Sequence, residues 1–371
     1  MPRRLGLVSV LVALGLLTAC TSADNGNDEG GRSAGASASP PNERSQTPTD
    51  GSPSSTGPPA ESEPTPTVTE PPPRRVSVPG LAAQTHRGDQ LTLGAVRERT
   101  AAYTSHDISY RSRSTTPSGA EAYRITGVVN VPTGRGPFPA VVLAHGYIDP
   151  AVYVRGQGMT RERGYLAARG YIALHVDYRN HAESDDDPTY QTDLRLGYAA
   201  DVINAVKALR ASRDLPVADD RIGLFGRSMG GGVVQKALIA EPGLAQAGTA
   251  WASVSSREGE NYNQFTRPDP EDAALTDELA RRHGLPEDNT AFWSGVSSRP
   301  YLDQISEPVL LVHGRRDDTC PPRWASATQR AMLAAGVDSQ LAWYDDGHAF
   351  GPAFNAAMNR TVRFFDTRMG P

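Results

Sequence analysis

The chain predicts an α/β fold, a mostly parallel central sheet with helices on both faces, and three observations predict it. Short apolar, β-rich runs recur from residue 108 onward: "ISYRS", "EAYRITGVVNV", "PAVVLAHG", "YIALHVDY", "RIGLFG", "AGTAWAS", "PVLLVHG" and "SQLAWYD". From "PAVVLAHG" on, most of them are separated by segments of helical spacing, such as "TRERGYLAARG", "DLRLGYAADVINAVKALRAS" and "PRWASATQRAMLAAG". Strand and helix in alternation means parallel pairing with helices covering the sheet. The third observation is "RIGLFGRSMGGG", where an apolar alternation runs through a glycine-rich turn straight into a helical pattern.

Before the fold begins, the chain reads differently. "MPRRLGLVSVLVALGLLTAC" has two early arginines, an apolar run too short to span a bilayer comfortably, and small residues ending at Cys20. This is the pattern of a secretion signal. Its ending, "LTAC", resembles the lipobox of bacterial lipoproteins, which implies that residues 1–20 are a signal peptide and that Cys20 carries lipid as the mature N-terminus. The alternative is a plain secretory signal with an incidental Cys20. Residues 21–75 are Ser, Thr, Gly, Pro, Asp and Glu with almost no large apolar side chains, and eleven of the chain's 30 prolines lie between Pro40 and Pro73. Such a segment cannot bury enough surface to offset its ordering entropy, so a disordered tether is expected there. The expected location is extracytoplasmic, anchored to a membrane by lipid.

Residues 76–371 are enough for one large core. The two early strand patterns, "ISYRS" and "EAYRITGVVNV", have no helix between them and are expected to form an antiparallel edge. Between "AGTAWAS" and "PVLLVHG" lie about fifty residues, far more than a usual connection, with Tyr262, Phe265, Phe292, Trp293 and Tyr301 and the helical "PEDAALTDELARRHG". A cap insertion over a site, about 254–305, is expected from this, against the alternative of a packed surface excursion.

The chemistry centres on Gly226-Arg227-Ser228-Met229-Gly230. A serine raised on a tight strand-to-helix turn needs glycines two residues to either side, where a Cβ would not fit. The five-residue pattern by itself is equally an ordinary glycine-rich turn. A nucleophilic serine also needs a base, and the base an orienting carboxylate, because a hydroxyl is nearly inert at neutral pH. In an α/β-hydrolase these follow in the order Ser, Asp or Glu, His. "PVLLVHGRRDDTCPP" places Asp317 in the loop after one strand, and "LAWYDDGHAF" places His348 in the loop after the last. Both loops are expected at the carboxyl ends of parallel strands, on the same edge as Ser228. Asp318 is the competing acid.

"HGRRDDTCP", "VVLAHGY" and "GRSMGG" resemble the acid loop, oxyanion loop and elbow of the prolyl oligopeptidase and dienelactone-hydrolase-like α/β-hydrolases, over residues 107–368. The resemblance implies the α/β-hydrolase fold, a Ser228-His348-Asp317 triad, and oxyanion donors at the backbone N–H groups of Met229 and Tyr147. Its H-G-x-x-D spacing from His313 selects Asp317 over Asp318. His145 and His313 are expected to be structural, and at least one of Asp345 and Asp346 to serve a turn. "DYRNHAESDDDP" departs from the Arg-Gly-x-Gly-x-Ser loop common in this fold, with Asn180 and Ala182 in place of glycines; Arg179 is expected to be structural.

Two enzyme readings follow. One is an esterase acting on a small substrate through an acyl-enzyme; the other is a peptidase acting on short peptides. Peptidases of this family usually carry a β-propeller for which this chain has no room, which favours the esterase. A third reading, a non-catalytic surface binding lipoprotein, would be marked by a broken triad, and all three residues are present. The eight histidines lack the H-E-x-x-H or clustered spacing of a zinc site, no cofactor is expected, and a net charge of -5 offers no footprint for nucleic acid.

Overall fold

The computed structural model describes residues 74–116 and 119–370. Cys20, the signal segment and most of the expected tether lie outside the described residues. No helix among the described residues is long and apolar enough to cross a membrane.

A short helix α1 (Val78–Ala82) precedes three long strands, β1 (Thr85–Arg99), β2 (Tyr103–Thr116) and β3 (Gly119–Pro132). They form an antiparallel meander, and β3 then pairs antiparallel with β5 (Ile172–Val176). The sequence reading expects two strands here; β1 is a third. Its burial alternates only near its start, and residues 94–99 are all exposed. As the outermost strand it has one neighbour and little apolar content, so it leaves a weak pattern in the sequence.

From β4 (Phe138–Ala144) the strands are parallel to one another. The chain runs through α2 (Thr160–Ala167), β5, α3 (Leu196–Ala211), β6 (Val217–Arg227), α4 (Met229–Ala240) and β7 (Ala247–Trp251). The interval after β7 contains α5 (Glu258–Asn261), a π-helical turn (Tyr262–Thr266), a 3₁₀ turn (Pro270–Asp272), α6 (Ala273–His283), α7 (Thr290–Gly295) and a second 3₁₀ turn (Arg299–Gln304). It ends at β8 (Val309–Gly314), followed by α8 (Pro322–Ala334), β9 (Ser339–Tyr344) and α9 (Phe354–Met369). The sheet order is β1-β2-β3-β5-β4-β6-β7-β8-β9. This is the α/β-hydrolase fold, a mixed, mostly parallel sheet with helices on both sides.

Period-two alternation splits the core between the two faces. Ala140, Val142 and Ala144 of β4 and Ile222 and Leu224 of β6 pack in the larger cluster with α3, α4 and Met332 of α8. Val141, Leu143 and Phe225 point the other way, into a cluster with Leu166 of α2 and Met358 and Phe365 of α9. Strands buried on both faces read as continuous apolar runs, which is why these were visible in the sequence.

Candidate active site

The sharpest feature of the site is the end of β6. Ser228 has φ 55° and ψ -122°, an unfavourable backbone for a residue with a side chain, and it opens directly into α4. The turn is held by bonds on both sides: the Ser228 N–H donates to Trp251 O at 2.9 Å, and Ser228 O accepts from Gly231 N at 2.9 Å and Val254 N at 3.2 Å. The flanking glycines answer to close packing. A Cβ on Gly226 would lie 2.1 Å from the carbonyl oxygen of Gly230, and one on Gly230 would lie 1.9 Å from that of Ala144.

Asp317 lies three residues past β8 and His348 four residues past β9, so both emerge at the edge where β6 delivers Ser228. Asp317 is buried, and its Oδ1 accepts the N–H groups of Thr319 at 3.0 Å and Cys320 at 2.8 Å. Its carboxylate oxygens lie 3.0 and 2.9 Å from His348 Nδ1. His348 Nε2 lies 3.1 Å from Ser228 Oγ. A carboxylate only accepts, so the imidazole proton belongs on Nδ1, leaving Nε2 to accept from the serine hydroxyl. Burial opposes ionisation of Asp317, but its bonds to His348 and Cys320 outweigh this and hold the carboxyl below its ordinary value. Asp318 is turned to Thr319, whose hydroxyl donates to it at 3.3 Å.

The other acids and histidines have different duties. Asp346 accepts the N–H of Gly347 at 2.9 Å and of Ala353 at 2.8 Å, closing the turn around the His348 loop. His313 is buried with Nε2 2.9 Å from Cys320 O, which braces the Asp317 loop. Cys320 is a buried free thiol that burial pushes up to about 12. Arg179 is fully engaged with Asp201, at 3.1 and 2.9 Å, and with Asp187 at 3.0 Å. Asn180 and Ala182, which stand where glycines are usual, keep left-handed backbones, with φ 66° and 50°.

Met229 is the first residue of α4, so its N–H has no partner within the helix and carries the positive end of the helix dipole. Tyr147 follows Gly146, whose hypothetical Cβ would sit 3.0 Å from that of Ser228. The loop is fixed from behind by an aromatic cluster. The Tyr178 hydroxyl donates to His145 O at 3.1 Å, His181 Nε2 lies 3.3 Å from Ile148 O, and His145 stacks on Tyr153 with ring centres 4.8 Å apart.

Three supporting residues escape sequence reasoning. Arg227 donates to His348 O at 3.1 Å and pairs with buried Glu162 at 3.4 Å. Arg161 donates to Ala349 O at 2.8 Å and Phe350 O at 3.1 Å. The only available signal was Arg227 itself, at the variable position of the G-x-S-x-G pattern.

Ser228 and His348 open into a cavity of about 600 Å³, which Tyr147, Met229 and Arg195 also line. The segment after β7 supplies another wall through Val254, Tyr262 and Phe265, while Phe292 and Trp293 are buried beneath it, Trp293 against Tyr262. Among the described residues no group of three or more His, Cys, Asp or Glu is arranged to hold a metal.

Comparison with known proteins agrees with this architecture. Dipeptidyl peptidase 4 of Felis catus is 30% identical over 197 residues, 51% of this chain and 24% of that protein, so the chain spans about a quarter of the relative's length. Among solved structures, the acetyl xylan esterase of Paenibacillus sp. R4 superposes with a TM-score of 0.56 at 19% identity, covering 78% of this chain and 92% of that one. The acylaminoacyl peptidase of Pyrococcus horikoshii gives 0.52 at 16% identity, with 76% and 56% covered. The model of the prolyl oligopeptidase family matches residues 158–371, a stretch that begins just past the Tyr147 loop and carries Ser228, Asp317 and His348. More than half of the sequence is thereby accounted for, and the chain belongs to the prolyl oligopeptidase family.

Proposed function

We propose that this chain is a serine hydrolase that cleaves a carboxylic ester of a small substrate through an acyl-enzyme. The observation that carries the reading is the unbroken chain from Ser228 Oγ through His348 to Asp317, opening into the cavity. Ser228 Oγ attacks the ester carbon as His348 Nε2 takes its proton. Asp317 holds the imidazole in the required tautomer and stabilises its charged form. The oxyanion is received by the N–H groups of Met229 and Tyr147; a single such donor is worth roughly 10²–10³ in rate. His348 then protonates the departing alcohol, and water, activated by the same imidazole, releases the acid.

A peptidase acting on short peptides is the second reading, and the similarity to dipeptidyl peptidase 4 favours it. The pocket's walls come from this domain's own loops and from the segment after β7, and its volume of about 600 Å³ accommodates a small ester and a short peptide alike, so the choice falls to the assay. We further infer from "LTAC" that Cys20 is lipidated and holds the enzyme to a membrane outside the cytoplasm.

A paired panel of p-nitrophenyl acyl esters and aminoacyl p-nitroanilides, assayed on the full chain in mild detergent, tests the choice. Ester turnover lost in Ser228→Ala, with no anilide turnover, is expected. Efficient anilide cleavage at a free N-terminus would favour the peptidase, and no turnover of either class would sink both.

A further inference from the structure

The cavity holds a cation that the hydrolytic chemistry does not use. Arg195 lines it with its guanidinium 5.1 Å from the ring centre of Tyr147, the residue proposed as an oxyanion donor. Its Nε is closed off from solvent without a hydrogen-bond acceptor. Among the described residues no carboxylate comes within the 4.0 Å of an ion pair with it. The neighbouring cations differ: Arg227 pairs with Glu162, and Lys236 with Glu258 at 2.7 Å. A charge that is partly buried without a counter-ion is costly, and such an arrangement persists where something else makes use of it.

The backbone tells the same story independently. Leu194 and Arg195 take consecutive left-handed conformations, φ 52° and 57°, which residues with long side chains rarely adopt. The helical pattern beginning at Asp193 would have carried Arg195 into α3, yet the helix starts only at Leu196. The kink is secured by the Arg195 N–H donating to Tyr190 O at 2.7 Å, the Leu194 N–H to Gln191 O at 3.0 Å, and the Tyr198 N–H to Arg195 O at 3.1 Å. Strain held this firmly beside a reaction centre marks a placed side chain.

Four acids also line the cavity, Glu258, Asp269, Glu271 and Asp272, and of these Glu258 is paired with Lys236. Asp269 is occupied as a cap, its Oδ1 accepting the Glu271 N–H at 3.0 Å. Partial burial raises the Asp272 carboxyl, and the charge of Arg195 draws it back, so the two are in electrostatic range but unpaired. For a ligand carboxylate, contact with the terminal Nη nitrogens of the guanidinium is direct and charge-assisted, whereas repulsion from acids that it does not touch is weakened by screening.

We propose that Arg195 is a specificity-determining residue that binds a carboxylate carried by the substrate, making the preferred substrates anionic esters. The inference rests on the hydrolase reading of Ser228 and adds the substrate class. The carboxylate can belong to the acyl side, as in a half-ester of a dicarboxylic acid, or to the leaving group, and two substrate pairs separate these. The first is p-nitrophenyl hydrogen glutarate against p-nitrophenyl pentanoate; the second is 4-acetoxybenzoate against its methyl ester.

In one of the pairs the anionic-to-neutral ratio of kcat/KM is expected to fall about tenfold or more in Arg195→Gln, with part of it recovered in Arg195→Lys. A ratio unchanged in both pairs, or anionic and neutral esters failing together, overturns the proposal. So does a wild-type preference for a cationic acyl group such as 6-aminohexanoate, which would assign the acids of the cavity lining instead. Binding of p-nitrophenyl hydrogen glutarate to Ser228→Ala, with and without Arg195→Gln, reads the subsite without turnover. Binding lost with Arg195 supports the subsite even where wild type cleaves nothing, a result that would sink only the hydrolase reading. Equal binding sinks an acyl-side subsite even where Ser228 turns esters over, and the same measurement with 4-acetoxybenzoate decides the leaving-group side.

Discussion

Arg227 Nη2 donates to the backbone carbonyl of His348 at 3.1 Å, so the residue beside the proposed nucleophile grips the loop of its proposed base. Its guanidinium is oriented by Glu162, which is itself buried. Arg227→Gln removes the ion pair and loosens the loop without touching the triad. The expected result is a fall in kcat of about ten- to a hundredfold, consistent with a small misplacement of a catalytic group. Because Glu162 is then left buried without this partner, a lower melting temperature is expected as well, and slower labelling by a fluorophosphonate, measured well below that transition, checks that His348 has shifted in a protein that is still folded.

Two adjacent acids separate the roles at the next position. Asp317→Asn should lower kcat by several orders of magnitude, on the order of 10⁴ in the best-studied triad, because an amide stabilises the wrong tautomer. Asp318→Asn should stay close to wild type, since that side chain faces Thr319. Steady-state kinetics on the pair decide; a dead Asp318→Asn beside an active Asp317→Asn would reverse the assignment.

The elbow tolerates no Cβ on either side. Gly226→Ala and Gly230→Ala would each drive a methyl group against a backbone oxygen, 2.1 and 1.9 Å away, which no side-chain rotation relieves. Each should cost at least about 3 kcal/mol or fail to fold, measurable by urea denaturation. Gly351→Ala, which meets nothing within 4 Å, is the control.

Acid should destabilise the domain through imidazoles behind the oxyanion loop. Burial holds His145 down to about 3, with the charge of His181 adding to it, and burial holds His175 well below its ordinary value. Between those values and the unfolded value near 6.5 the unfolded chain binds more protons, so stability rises with pH there and is lost as pH falls below about 6.5. Each histidine contributes at most about 1.4 kcal/mol per pH unit. His175→Gln cannot titrate and should flatten melting temperature against pH between 6.5 and 5; an unchanged slope would place the acid sensitivity elsewhere.

If Cys20 carries lipid, Cys20→Ser should release the protein into the medium or block its processing. Fractionation with mass spectrometry of the mature N-terminus checks this. Wild-type protein wholly soluble, without acyl mass on Cys20, is the contrary outcome.

By itself the sequence determined whatever is local. Apolar runs such as "AVVLA" and "VLLVHG" read as strands because a doubly covered strand is apolar on both faces, and the spacing of Gly226 and Gly230 reads as a tight turn because only glycine fits there. The loops carrying Ser228, Asp317 and His348 were legible because each follows its own apolar strand, while the choice of Asp317 by its step from His313 came from the family resemblance. Edge strand β1 was not legible, since its outward half carries no apolar alternation. Tertiary structure alone decided which side chains meet across long separations: Arg227 with the carbonyl of His348, Glu162 with Arg227, and Arg195 with the ring of Tyr147. It also decided that Arg195 leaves its helical pattern and turns left-handed beside the cavity. Such contacts depend on how the loops at the carboxyl edge of the sheet pack together, and no periodicity along one segment records the position of another.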